Sequence, residues 1–290
     1  MDNQPRPRGP TLTLYAMSPC LNTLGRWSAD RGRSFITLRV AVMTSLVRRG
    51  RRLLRLLAIR PYRRALVHGV GAALEHEHTP LPHNLRTVLD VGANRGQFAL
   101  IATRRWPEAR LVCFEPLPHA RAVLERVLRR HRRFDVVDAA LSDHKGMAQL
   151  HVARADDSSS LLPITRLQVE TFPGTEEVST LQVRTLRLDE EVAPGTIDRP
   201  ALLKIDVQGA ELSVLRGAVG LLPDLDAILV ESSFAELYAG QALADDVIRF
   251  LHASGFALVA IAGPTRDAKG NVLQADLVFR SHASAREASA

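Results

Sequence analysis

Four acids stand where apolar runs give out. Asp90 sits in VLDVGANRGQF, Glu115 in VCFEPLP, Asp138 in FDVVDAAL and Asp206 in LLKIDVQGAE. Carboxylates at such places can cradle a cation, accept hydrogen bonds from hydroxyls, or take a proton from a nucleophile. Lys204 lies two residues before Asp206, on the same face of a predicted strand, and can hold it ionised. Glu211 opens the helix that follows, where the dipole favours negative charge. Asp206 is therefore the first candidate for a base, an acceptor anchor or a metal ligand, with Lys204 and Glu211 beside it. His76, within EHEH (Glu75 to His78), is a further candidate base if its helix lids the site. Read as structure alone, the same residues organise turns and helix ends.

The glycines narrow the ligand. Asp90 precedes Gly92 and Gly96, and the helix after them offers free N–H groups. A dinucleotide fingerprint needs G-x-G-x-x-G, whereas this turn reads G-A-N-R-G and lacks the middle glycine. An acid before the turn repels a pyrophosphate and suits a cation. S-Adenosylmethionine, with a sulfonium, an ammonium and no phosphate, fits better. Glu115 is placed to accept hydrogen bonds from both ribose hydroxyls, and Asp138 to meet the adenine amino group. The candidate cofactor contacts are Asp90, Gly92, Ala93, Asn94, Gly96, Phe98, Glu115, Pro116, Asp138 and Ala139. Singly, each also reads as an ordinary turn residue or a solvated strand end.

These positions demand strands that alternate with helices. TVLDV, RLVCFEP, FDVVDAAL, ALLKIDV and AILVESS read as buried strands, and FALVAIAG and ADLVFR as a closing hairpin. QLHVA and LQVRTLRL read as extra strands around a polar loop. Helices are predicted over 96–105, after Pro116, after Asp206 and over 247–253. The expected fold is α/β: a Rossmann-like, mostly parallel sheet with helices on both faces, an antiparallel C-terminal strand and an N-terminal helical extension.

The predicted organisation is a disordered basic tail (1–34), a helical extension (35–80), a catalytic domain (81–282) and a disordered tail (283–290). In the extension, 36–58 is read as a helix with Leu46, Gly50, Leu53, Leu54 and Leu57 on one face, packed on the domain. Pro61 starts a second helix with Tyr62, Leu66, Val70, Ala73 and Leu74 inward, ending at EHEH.

Charge is uneven. Residues 1–80 hold fourteen Arg against four Asp or Glu, while the remainder is slightly acidic. The basic character thus belongs to the extension and does not mark the main domain as nucleic-acid binding. Arginines and leucines over 46–57 leave peripheral contact with an anionic membrane as a minority reading. No run reaches the ~20 uncharged apolar residues of a spanning helix, and a cytoplasmic protein is expected. Two cysteines, Cys20 and Cys113, exclude a disulfide framework. Glu75 and His78 are read as a solvated helix end and not as a metal pair; no metal is predicted.

Together, VLDVGANRGQF, VCFEPLP, DAALSD, DDSSSLL, LLKIDVQGAELSVLRGA and ILVESSF resemble the FkbM-type methyltransferases in order and spacing. The resemblance covers roughly residues 60–280. Gln208 departs from the Glu that many members carry. The resemblance implies a seven-stranded Rossmann-like fold, S-adenosylmethionine as cofactor and O-methylation. The expected acceptor is a hydroxyl of a carbohydrate, glycolipid or secondary metabolite. DDSSSLL offers the hydroxyls and carboxylates a polar acceptor needs. An NAD-dependent oxidoreductase and a nucleic-acid-modifying protein using the basic arm are the competing readings.

Overall fold

The structure is a computed structural model, and it describes residues 50–282. Ten strands form two sheets. The main sheet runs β3 (Phe134–Val137), β2 (Arg110–Phe114), β1 (Thr87–Val91), β7 (Ala201–Ile205), β8 (Ala227–Ser233), β10 (Val272–Ser281), β9 (Phe256–Arg266). All pairings among β3, β2, β1, β7 and β8 are parallel, and β10 runs antiparallel to both neighbours. Every residue of β1 and β7 is buried, which explains why both are apolar apart from Thr87, Asp90 and Lys204. A second sheet joins β4 (Ala140–Leu141), β6 (Glu177–Leu186) and β5 (Gly146–Ala153).

Seven α-helices have bounds within the described residues: α1 (Arg60–Leu66), α2 (Gln97–Arg105), α3 (Pro118–Leu128), α4 (Arg166–Thr171), α5 (Leu188–Glu191), α6 (Glu211–Arg216) and α7 (Ala244–Ala253). Leu89, Leu203, Ile228, Val214 and Phe279 anchor the core on one side of the sheet. Val88, Phe98, Leu111, Leu124 and Leu202 anchor it on the other. The expected α/β fold is therefore present, with β1 and β7 adjacent at its centre.

Three local expectations change. FDVVDAAL is not one strand: β3 ends at Val137, and Ala140–Leu141 leaves for the second sheet as β4. The second N-terminal helix stops at Leu66, seven residues long. Gly69, at φ +74°, turns the chain away, and EHEH forms a separate 3₁₀ turn (Leu74–His78). Residues 50–58 are helical, but the face differs from the one expected: Leu56 is buried against Tyr62 and Ile101, whereas Leu53, Leu54 and Leu57 are exposed. Leu46 and the two predicted tails lie outside the described residues. No described helix is long and apolar enough to cross a membrane.

Candidate active site

At the carboxyl ends of β1, β2, β7 and β8 the chain gathers acids around one ammonium. Asp90 and Lys204 are Cα partners across β1 and β7. Lys204 Nζ lies 3.3 Å from Asp90 Oδ1 and 3.5 Å from Asp206 Oδ2, and it donates to Gly92 O at 3.3 Å. Burial alone would lower the Lys204 pKa, but Asp90 and Asp206 overcome it, and the ammonium is held charged above its ordinary value. Asp90 is fully buried and faces this internal cation. Burial raises its pKa, and Lys204 partly offsets that.

The two glycines serve backbone approach. A Cβ on Gly92 (φ +74°) would stand 1.8 Å from Asp206 O, so the β1 turn fits only against the chain leaving β7. A Cβ on Gly96 (φ +93°) would meet Leu124 Cδ1 at 2.9 Å, so this glycine lets α2 start against α3. Both contacts are between parts of the chain itself. Asn94 also adopts positive φ, and its Oδ1 accepts from Arg95 N at 2.7 Å.

Glu115, one residue past β2, is clamped by this turn. Its Oε2 accepts from Asn94 N at 2.7 Å and its Oε1 from Leu117 N at 2.8 Å. Each oxygen keeps a second lone pair for a ligand hydroxyl. Burial pushes its pKa up to about 7, against those two amides. Beyond Pro116, Arg95 pairs with Asp156 at 2.6 Å, drawing the DDSSSLL loop over the turn. Asp138 follows β3 as expected, but its side chain is largely exposed and paired with Arg121, while Ala139 is buried.

Asp206, one residue past β7, is the more open member, with 35% of its side chain exposed. Gln208 Nε2 donates to Asp206 Oδ1 at 2.7 Å and to Glu231 Oε2 at 2.8 Å. The Tyr238 hydroxyl donates to Gln208 Oε1 at 2.8 Å and so fixes the amide's orientation. Glu231 Oε1 accepts from Gln274 Nε2 at 2.9 Å. Burial, then Asp206, Asp276 and Glu211, push the Glu231 pKa well up. Asp276, the cross-strand partner of Glu231 on β10, is pushed up to about 7 by burial and then Asp206. Glu211 turns inward at the start of α6 and accepts from Gly209 N at 2.9 Å. Burial raises it to about 7.

His76 comes from outside this rim and reaches it. Its ring meets Phe98 edge-on at 5.4 Å between centroids, and Nδ1 lies 3.8 Å from Asp276 Oδ2 with no hydrogen-bond partner. Burial, with Lys204 among the other causes, lowers its pKa, so it is neutral at pH 7. Phe98 itself lies beneath Lys204 Nζ at 5.8 Å. The neighbouring Glu77 acts as a clamp and not as a ligand: it takes Arg55 at 2.7 Å, Arg104 at 3.0 Å and the Tyr62 hydroxyl at 3.1 Å.

The structure thus brings together Asp90, Lys204, Asp206, Glu211, Glu115 and His76, and leaves Asp138 at the margin. Sequence reading missed Tyr238, Gln274 and Asp276. All three lie beyond the strand–turn–helix motif; only the alternation over Val272–Leu277 marks Asp276, and nothing local marks Tyr238. The donor set fits a cationic ligand. Five buried or half-buried carboxyls (Asp90, Glu115, Glu211, Glu231 and Asp276) all have raised pKa values, and Lys204 is the ammonium among them. A sulfonium nucleoside would relieve that crowding, whereas a pyrophosphate would add to it.

Known proteins share this arrangement of sequence. The 2-O-methyltransferase NoeI of Sinorhizobium fredii (strain NBRC 101917 / NGR234) is 30% identical over 160 residues, a match covering 53% of this chain and 66% of NoeI, just under two thirds of its length. The 31-O-demethyl-FK506 methyltransferase FkbM of Streptomyces tacrolimicus is 29% identical over 200 residues, covering 61% of this chain and 75% of the relative. The hexuronic acid methyltransferase AglP of Haloferax volcanii is 29% identical over 145 residues, covering 49% and 54%. Residues 90–258, more than half of the chain and the whole of the rim apart from His76, Gln274 and Asp276, match the model of the methyltransferase FkbM domain, and the chain belongs to that family of methyltransferases.

Proposed function

We propose that this methyltransferase uses S-adenosylmethionine to methylate a hydroxyl of a carbohydrate, glycolipid or secondary metabolite. The observation that carries the reading is the surplus of buried carboxyls around Lys204. Two relatives support the acceptor class, since one is named a 2-O-methyltransferase and another a hexuronic acid methyltransferase. In this reading the catalytic unit spans residues 81–282, the extension is residues 35–80, and its His76 walls one side of the site.

Bound S-adenosylmethionine supplies a methyl group already activated by its sulfonium. The turn Asp90–Gly96 and Phe98 form its bed. Glu115 takes the ribose hydroxyls on the lone pairs that Asn94 and Leu117 leave free. Pro116, Asp138 and Ala139 border the base.

The chain must then align an alcohol and remove its proton. Alignment is worth up to ~7–11 kcal/mol in favourable cases, and a placed base adds ~10²–10⁴-fold. Asp206 is assigned the proton. It is the open carboxylate of the rim, and its two oxygens are oriented by Lys204 and Gln208. In the transfer the new C–O bond would form as the methyl–sulfonium bond breaks to leave a neutral thioether, and the hydroxyl proton would pass to Asp206 and then to solvent. Lys204 faces Asp206 Oδ2 at 3.5 Å, and Asp90 keeps Lys204 in place. Neutral His76 is positioned to orient the acceptor. Glu211 braces the turn after β7 through Gly209 N.

The test is a labelled-methyl transfer screen over sugars, glycolipids and lipid-linked sugars, with and without Mg²⁺, alongside calorimetric titration of the cofactor. Saturable cofactor uptake with label on an acceptor oxygen is expected. Saturable NAD binding with no S-adenosylmethionine binding would overturn the reading.

A further inference from the structure

A second cavity of about 450 Å³ lies away from the rim, among α1, α2 and the end of α3. Its floor is apolar: Leu100 and Leu128 line it and are only 3% and 1% exposed. Val67, 82% exposed, forms part of its lip. Arg64, Arg126, Arg129 and Arg130 also line it.

These four arginines have no ion pair or hydrogen bond among the described residues. By contrast Arg52, Arg55, Arg95, Arg104 and Arg121 each meet a carboxylate. The crowding is felt at Arg64, whose pKa is lowered by desolvation and then by Arg130, Arg60, Arg63 and Arg129. Carbonyls ending α3 favour a nearby cation by about 0.3–1 kcal/mol, which accounts for one helix's arginines but not for Arg64 facing them from α1. The N-terminal sequence carries a surplus of positive charge. Residues 1–49 hold eight arginines and two aspartates.

Guanidinium groups over an apolar floor match an anion that carries a hydrocarbon chain. Guanidinium is the side chain best shaped for bidentate contact with phosphate oxygens, and the chain would occupy the floor. We propose that this cavity binds the phosphate of an amphiphile, a monoester or diester joined to an alkyl or isoprenoid chain, at a site separate from the methyl-transfer site.

The full chain is titrated calorimetrically with monododecyl phosphate below its micelle concentration, with inorganic phosphate and with dodecyl maltoside. One saturable site for the alkyl phosphate is expected, at least about tenfold tighter than for inorganic phosphate, since chain burial adds to the headgroup contact. The variant Arg64→Gln/Arg129→Gln/Arg130→Gln should weaken it about tenfold or more, with circular dichroism and thermal midpoint unchanged. Arg129→Gln alone serves if the triple variant does not fold. Equal affinity for inorganic phosphate would assign the site to a free anion and overturn the amphiphile. Equal binding of dodecyl maltoside, or binding indifferent to the arginine substitutions, would overturn the site itself.

Discussion

Asp90 and Lys204 face each other across β1 and β7 with 3.3 Å between carboxylate and ammonium, and neither side chain has more than 6% of its surface exposed. Removing one partner of such a buried pair leaves the other charge uncompensated. Lys204→Met should therefore cost about 3–5 kcal/mol of stability. The deficit should shrink as pH falls, because Asp90, already raised by burial, then takes up a proton. Denaturant unfolding of Lys204→Met, Asp90→Asn and the double variant measures this. Additive losses in the double variant would show that the two groups do not act as a pair.

Asp206→Asn keeps the size of the side chain but loses one of its two acceptor oxygens and cannot take a proton. Turnover should fall by about 10²–10⁴-fold while cofactor affinity stays within about threefold. His76→Gln tests the alternative base. If His76 only orients the acceptor, KM rises and the acidic limb of the pH–rate profile stays in place. Loss of that limb in His76→Gln, with Asp206→Asn retaining activity, would reverse the two roles.

Glu115, Glu211 and Asp276 are each pushed up to about 7, chiefly by burial. Their folded values lie above the unfolded ones near 4, so the folded state binds more protons in between. Each contributes stability that is complete below about 4 and is lost as pH rises through about 7. The ligand-free protein should thus melt several degrees higher at pH 6 than at pH 8, and Glu211→Gln should flatten the difference. A cationic ligand that selects the ionised carboxylates should bind tighter at pH 8. Scanning fluorimetry across that range, with and without S-adenosylmethionine, reads both trends, and a flat midpoint would remove the crowded-acid account.

Gly92→Ala would set a methyl 1.8 Å from a backbone oxygen at Asp206, on a residue whose φ of +74° already disfavours a side chain. Neither group is the far end of a flexible chain. A loss of roughly 2–4 kcal/mol, or a displaced Asp206 and lost turnover, is expected. Gly96→Ala meets only the tip of Leu124, and its cost should be smaller, coming mostly from φ. Thermal midpoints of the two variants give the ranking.

Much of this was legible from the chain itself. TVLDV and ALLKI are buried throughout, and their mostly apolar composition reports that, with Asp90 and Lys204 as the exceptions that pair with each other. The acids at 90, 115 and 206 do meet at one rim because parallel strands end in register. What escaped came from contacts distant in sequence. Asp276 joins Glu231 through antiparallel pairing from the far end of the chain. Tyr238 reaches Gln208 from the loop before α7. The purpose of Gly92 was also hidden, since its neighbour in space is Asp206 and that is visible only once β1 and β7 lie side by side. The leucine face of residues 50–58 misled because helical spacing shows which residues share a side and not which side meets the domain.

Glu77 gathers Arg55, Arg104 and Tyr62 onto one carboxylate, and His76 is the residue next to it. The family's recognisable portion begins only at residue 90, yet one wall of the pocket is pinned by a knot tied before it. A fragment trimmed to the shared portion would lose His76 and Glu77 together with most of β1 and all of β10. Differences between relatives in which alcohol they accept are then to be sought upstream of the shared portion as much as within it.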